Sequence, residues 1–177
     1  MKNMKINFLF ALVLLGFISC QPEENLVNDV GPSYDLYQSS DFNFEGKATF
    51  QVLANGEVEL LVQLFGDKSN DPYFYTGHLH FGSFDQGDAP IAHALNPIDS
   101  RTLESRTVLG KLSNGKEFDL EAINDFDGHI KVHLADQGPD YNIILVSGNI
   151  GRNDNSREAF NAEQLTLCSP YFPAESF

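Results

Sequence analysis

Five histidines stand in the chain of 177 residues, at positions 78, 80, 93, 129 and 133, and two of them frame a single leucine in TGHLHFG, residues 76–82. Neutral imidazole is a good ligand for zinc and copper. On a β-strand, where side chains alternate between faces, His78 and His80 share one face with their Cα atoms about 7 Å apart. Both rings can then converge on one ion, and a third nitrogen makes the site competent. His133 is the best candidate if its strand lies beside that of the pair, and His93, in PIAHAL, is the next. His129 is four residues from His133, about 13 Å along a strand, so those two cannot serve one mononuclear site. Asp85 and Asp88 in FDQGD, with Asp136 and Asp140 in ADQGPD, could orient the ligating rings. The same spacing also suits strand histidines that are only polar decoration or hydrogen-bonding groups.

The elements that must position these rings read as strands. In KATFQVL, Ala48, Phe50 and Val52 alternate with polar residues; Ala54, Asn55 and Gly56 turn the chain; and Val58, Leu60, Val62 and Leu64 alternate through EVELLVQL. YFYTGHLHFG, IAHAL, HIKVHLAD and NIILVSGNIG continue the pattern. NPIDSRTLESR reads as an irregular or briefly helical connection, and LSNGKEFDLEAI as a turn and a strand with Phe118, Leu120 and Ala122 on one side. About seven to nine short strands separated by turn signals predict an all-β fold, an antiparallel Greek-key sandwich or barrel. In HIKVHLAD the apolar face is Ile130, Val132 and Leu134, which leaves His129, Lys131 and His133 on the other. The histidines of both strands thus point away from the core side, which argues against their being buried, satisfied core residues.

The chain opens MKNMKINFLFALVLLGFISC: two lysines, an apolar run, then Ser19 and Cys20. This is the pattern of an export signal, residues 1–19, too short in its apolar run to span a bilayer. Its end resembles the lipobox of bacterial lipoproteins, which implies diacylation of Cys20, and CQPEEN resembles the acidic tether of Bacteroidota-type lipoproteins displayed on the outer face of the outer membrane. A lipidated tether is expected over residues 20–40, becoming ordered near Tyr34 to Tyr37, and one domain over 41–177. Loss of the signal removes two of 11 basic residues and none of the 25 acidic ones, leaving a charge of −16. Such a surface repels phosphates and argues against nucleic acid as a partner. With Cys20 acylated, Cys168 has no partner for an intramolecular disulfide. Residues 152–177 lack alternation, and their aromatic side chains are expected to pack on the sheet or along an edge. No G-x-S-x-G, H-E-x-x-H, P-loop or C-x-x-C pattern occurs, and the acidic turns NDFDG and GDKSNDP lack the length of a calcium-binding EF-hand loop.

GHLHFGSFDQGDAPIAHAL resembles the central segment of the CHRD domain, the chordin-type module of many bacterial secreted proteins. DGHIKVHLADQGPDYNIILVSGNIG resembles its closing segment. The matching positions are His78, His80, Gly82, Gly87, Pro90, Val132, His133, Pro139, Gly148 and Ile150, and the likeness covers residues 44–151. Lys131 and Leu134 depart from the family's closing pattern. The resemblance implies an immunoglobulin-like or superoxide-dismutase-like barrel and no general enzymatic role. A fainter likeness to copper-zinc superoxide dismutase lies in the order His78, His80, His93, His133 and in SGNIGR, without that family's long zinc loop. The expected protein is therefore a lipid-anchored, surface-exposed outer-membrane lipoprotein with a non-catalytic binding or structural role toward an envelope or extracellular protein or glycan, holding copper or zinc on strand histidines. The alternative is a metalloenzyme with a redox or dismutase-like copper centre.

Overall fold

The alternation in KATFQVLANGEVELLVQL folds as a hairpin, β2 (Glu45–Leu53) and β3 (Val58–Phe65). Gly56 takes a φ of +87° at its turn, a conformation that costs a glycine little. Asn55 Oδ1 accepts the Glu57 N–H, which closes the loop. Around this hairpin the computed structural model, which describes residues 27–167, places β1 (Val27–Gln38), β4 (Phe74–Phe81), β5 (Ile91–Ala94), β6 (Ile98–Asp99), β7 (Glu104–Val108), β8 (Asp127–His133) and β9 (Ile144–Gly151).

All pairings between these strands are antiparallel, in the order β5-β4-β6-β7-β3-β2-β1-β9-β8. β8 returns to pair with β4, so eight strands close into a barrel and β5 is added against β4. Closure leaves the barrel strands no open edge. The interior is apolar, and Phe50, Leu60, Leu79, Ile98, Ile130 and Val146 are all fully buried in it. Phe50 sits between Tyr34 and Phe118, with ring centres 6.1 and 5.8 Å away.

Three elements differ from expectation. Residues 20–40 are not tether throughout, because β1 begins at Val27 and pairs with both β2 and β9. Gly31 and Pro32 interrupt its alternation, and its register shifts between Val30 and Ser33, so no period of two marks it. LSNGKEFDLEAI does not end in a strand: α1 (Leu120–Asp125) starts where Asp119 accepts the Ala122 N–H at 2.9 Å, an N-cap followed by good helix formers. NPIDSRTLESR contains β6 and the start of β7, whose two-residue and five-residue lengths are too short for a visible period. Residues 152–167 pack over the sheet without forming a strand; residues 1–26 and 168–177, and with them Cys20 and Cys168, lie outside the described residues.

Replacing Phe50 by alanine is expected to cost about 3–5 kcal/mol, while Phe65→Ala, on a half-exposed side chain, should cost under about 1 kcal/mol. Urea denaturation of both variants measures this, and equal losses would contradict the assigned interior.

Candidate metal centre

The β4–β8 ladder sets Thr76, His78 and His80 opposite His133, Lys131 and His129 in turn. The β8–β9 ladder sets Lys131 opposite Ser147 and His129 opposite Asn149. Residues paired across antiparallel strands share a face. One polar layer therefore lies on the outside of the barrel wall, and the intervening Leu79, Ile130 and Val132 point inward, as period two predicts.

The inference that this direction keeps the histidines from burial is corrected. His78 is 5 % exposed, His133 and Lys131 1 %, and His80 and His129 0 %. Three segments cover the layer. The loop after β4 lays down Phe84, held by its N–H on Asn149 Oδ1 at 3.0 Å. A 3₁₀ turn, Pro139–Asn142, stacks Tyr141 on His133 with ring centres 4.3 Å apart and planes 3° off parallel. Residues 152–167 bring Phe160 against Tyr37 and Phe84, at 5.0 and 5.1 Å. Thr166 caps the layer, accepting from Lys131 Nζ at 2.6 Å and donating to the Gln86 carbonyl at 2.9 Å.

Within the layer the His78 ring centre is 5.8 Å from that of His80 and 5.4 Å from that of His133. His80 stacks on His129 at 4.8 Å. The covering loops fix the ring orientations: His80 Nδ1 pairs with the Ala89 carbonyl at 3.0 Å, His129 Nδ1 with that of Gly82 at 2.7 Å, and His133 Nδ1 with that of Tyr141 at 2.7 Å. A carbonyl only accepts, so each Nδ1 carries the proton and each Nε2 keeps its lone pair. The Nε2 atoms of His129 and His133 and the Nδ1 atom of His78 are buried without a hydrogen-bond partner among the described residues. Gly82 is part of this arrangement, since its φ of +76° turns the chain out of β4 and aims its carbonyl at His129.

Burial keeps all four rings neutral. It lowers His78 and His129 to about 4, and His80 and His133 to about 3, where the neighbouring rings and Lys131 push further down. At neutral pH the layer offers neutral imidazoles, with the tautomers of His80, His129 and His133 fixed by the carbonyls they face, the state a transition metal needs.

His78 lies between His80 and His133, with ring centres 5.8 and 5.4 Å away, and His129 lies at the His80 end, away from Tyr141. His93 does not join them: it faces Leu79 in the β4–β5 ladder, is partly exposed, and sets its Nδ1 against the Ala94 carbonyl at 2.7 Å. Asp85, Asp88, Asp136 and Asp140 are exposed, and backbone carbonyls take the orienting role expected of them. As the side chains stand, no three His, Cys, Asp or Glu groups among the described residues surround one point closely enough to hold an ion. Lys131 and Tyr141 are the members that sequence reasoning passed over as functional groups. Alternation places Lys131 on the histidine face, whereas nothing in GPDYN signals the stacking of Tyr141.

These depressed pKa values couple stability to pH. The unfolded chain takes up protons at its histidines near pH 6.5, the folded chain only near 3 to 4, so stability is full above about 6.5 and falls as pH drops through that window. At pH 5.5 each histidine should cost the metal-free protein roughly 1 kcal/mol relative to pH 7.5. Denaturation midpoints across pH 4.5–7.5 test this, and a flat profile would contradict the buried, neutral layer.

Comparison of the chain with family models, with curated proteins and with solved structures finds no match.

Proposed function

We propose that the chain is a lipoprotein of the outer membrane, anchored through Cys20 and exposed at the cell surface, whose CHRD-like barrel has a non-catalytic binding role and holds a copper or zinc ion with His78, His80 and His133. The observation that carries the metal reading is that ring nitrogens of His78 and His133, Nδ1 and Nε2 respectively, are buried without a hydrogen-bond partner among the described residues, as is His129 Nε2 beside them. Leaving a buried polar atom unsatisfied costs roughly 1–3 kcal/mol, and coordination would remove that cost. The spacing supports an ion shared by His78 with His133 or with His80. With metal–nitrogen bonds of about 2.0–2.1 Å, two imidazoles on one ion put their ring centres roughly 5–5.5 Å apart. The distances of 5.4 and 5.8 Å are within reach of small side-chain rotations. The Nδ1–H bonds to carbonyls are the outer contacts that orient ligating histidines.

The export signal, the lipobox-like Cys20 and the acidic CQPEEN stretch support the anchored location. The resemblance of residues 44–151 to the CHRD domain supports a binding role toward an envelope or extracellular protein or glycan. The rival redox or dismutase-like centre would need His93, which lies outside the layer.

Titration of the purified protein with copper and zinc is expected to give micromolar or tighter binding, lost in His80→Ala and kept in His93→Ala. No binding of either metal overturns the metal reading, and superoxide removal by the loaded protein beyond that of the free ion would move the assignment to the enzyme. Cys20→Ser is expected to abolish both fatty-acid labelling and membrane association in cells, and retention of both would refute the anchor.

A further inference from the structure

We infer that the end of the barrel farthest from the start of β1 is a docking surface for a cationic segment of a partner protein, held by the exposed rings of Phe42, Phe65, Tyr73 and Phe74 and the carboxylates around them. The inference rests on the binding role proposed above, names its face and class of partner, and does not depend on the metal ion.

The exposed apolar side chains divide by type along the barrel. Val27 and Val30 are on the first part of β1, beside the β2–β3 turn, since Val27 pairs with Leu53. Val108 and Leu120 are at the same end: Val108 pairs with Glu59, and Leu120 lies against Gly31. The four exposed aromatic side chains among the described residues are all at the other end. Phe65 closes β3 opposite Glu45, the first residue of β2, and Phe42 comes just before that strand. Gly66 packs so closely on Asn43 and Phe44 that a side chain there would strike both. The Phe44 ring meets Tyr75 and Tyr75 meets Tyr73, with ring centres 5.7 and 5.5 Å apart. Phe74 opens β4 opposite Asp99, in a row that continues through Glu104 to Gln63.

This rim has a fixed backbone although residues 66–73 form no strand. Ser100, fully buried, holds it at four points. Its carbonyl accepts the Ser69 N–H at 3.0 Å, and its N–H donates to the Tyr73 carbonyl at 2.9 Å. Its hydroxyl accepts the Tyr73 N–H at 3.2 Å and donates to the Asp71 carbonyl at 3.1 Å. A surface shaped in advance loses less entropy when a partner arrives.

Charge selects the partner. Asp41, Glu45, Asp67 and Asp71 are exposed around the rings, and none is in an ion pair among the described residues. Lys47 and Arg101 are taken by Asp35 and Asp99, which leaves Lys68 as the local counter-charge. Aromatic faces attract guanidinium and ammonium groups, and carboxylates bind them through charge-assisted hydrogen bonds. The same face repels phosphates, acidic glycans and a second copy of this chain, whose formal charge is −14. An anchor at Cys20 leads into β1 at the opposite end, so this end is turned away from the membrane.

The test uses the full chain purified in detergent. Fluorescence anisotropy reads its binding to a labelled peptide of alternating arginine and leucine, and to a counterpart with glutamine for arginine. Neutral glucose and mannose oligosaccharides are titrated alongside, and sedimentation reads self-association. Saturable binding of the arginine peptide that weakens as salt rises is expected, with none of the glutamine peptide. Phe65→Ala combined with Tyr73→Ala should weaken it about tenfold. Asp67→Asn combined with Asp71→Asn should weaken it and flatten its salt dependence, and Val30→Ala should leave it unchanged. The denaturation midpoint of each variant checks that it is folded. Equal weakening by Val30→Ala, or none by the aromatic pair, overturns the assigned face. Oligosaccharide binding or self-association that the aromatic pair abolishes, in place of peptide binding, overturns the cationic partner and leaves the binding role standing. No binding of any probe overturns the docking surface, and the metal reading, titrated separately, is untouched.

Discussion

The register between β4 and β8 is the constraint on which the rest depends. Pairing Leu79 with Ile130 closes the barrel and fills its interior, and the same pairing sets His80 against His129 and His78 against Lys131 on the outside. Because side chains alternate with a period of two, a slip of one residue would turn the imidazoles into the barrel and the leucine and isoleucine out of it. The apolar interior therefore enforces the polar layer: the free energy of burying Leu79, Ile130 and Val132 holds the histidines in place without any attraction among the rings themselves.

A polar layer outside a barrel wall would ordinarily be wet. Here the chain covers it with segments that also supply its hydrogen bonds, and the two functions are inseparable. The carbonyls of Gly82, Ala89 and Tyr141 belong to the loops that exclude water, and each accepts from the imidazole it covers. Asn149 and Tyr37 tie the cover back to the wall, the first through Phe84 N–H and the Asp154 carbonyl, the second through the Asn155 carbonyl. Removing water lowers the proton affinity of the rings and at the same time makes every lone pair left without a partner costly. That combination distinguishes the layer from a set of surface histidines.

Much of this was legible in the sequence. Alternation located β2, β3, β4, β8 and β9, and it placed His78, His80, Lys131 and His133 together on the face away from the barrel interior. The burial of that face was not legible, because it depends on residues 139–142 and 152–167, whose contacts arise from turns and long-range packing with no period of their own. Short elements escaped for the same reason: two-residue β6 cannot display a period, and Gly31 and Pro32 hide β1. Asp119 before Leu120, Glu121 and Ala122 did carry a helix signal, but the apolar spacing of Phe118, Leu120 and Ala122 equally fits a strand, and capping decided between them. His93 shows the limit of spacing as a guide, since a short strand with a bulge beside Leu79 turns a plausible fourth ligand away from the layer.

The layer and its cover differ in what holds them. The barrel wall is a continuous ladder of backbone hydrogen bonds around an apolar interior, whereas the cover is attached by a few backbone bonds at its ends, by side-chain hydrogen bonds and by the stacking of Phe84, Phe160 and Tyr141. Lys131 and Thr166 sit where the two parts meet, one on β8 and the other on the covering segment.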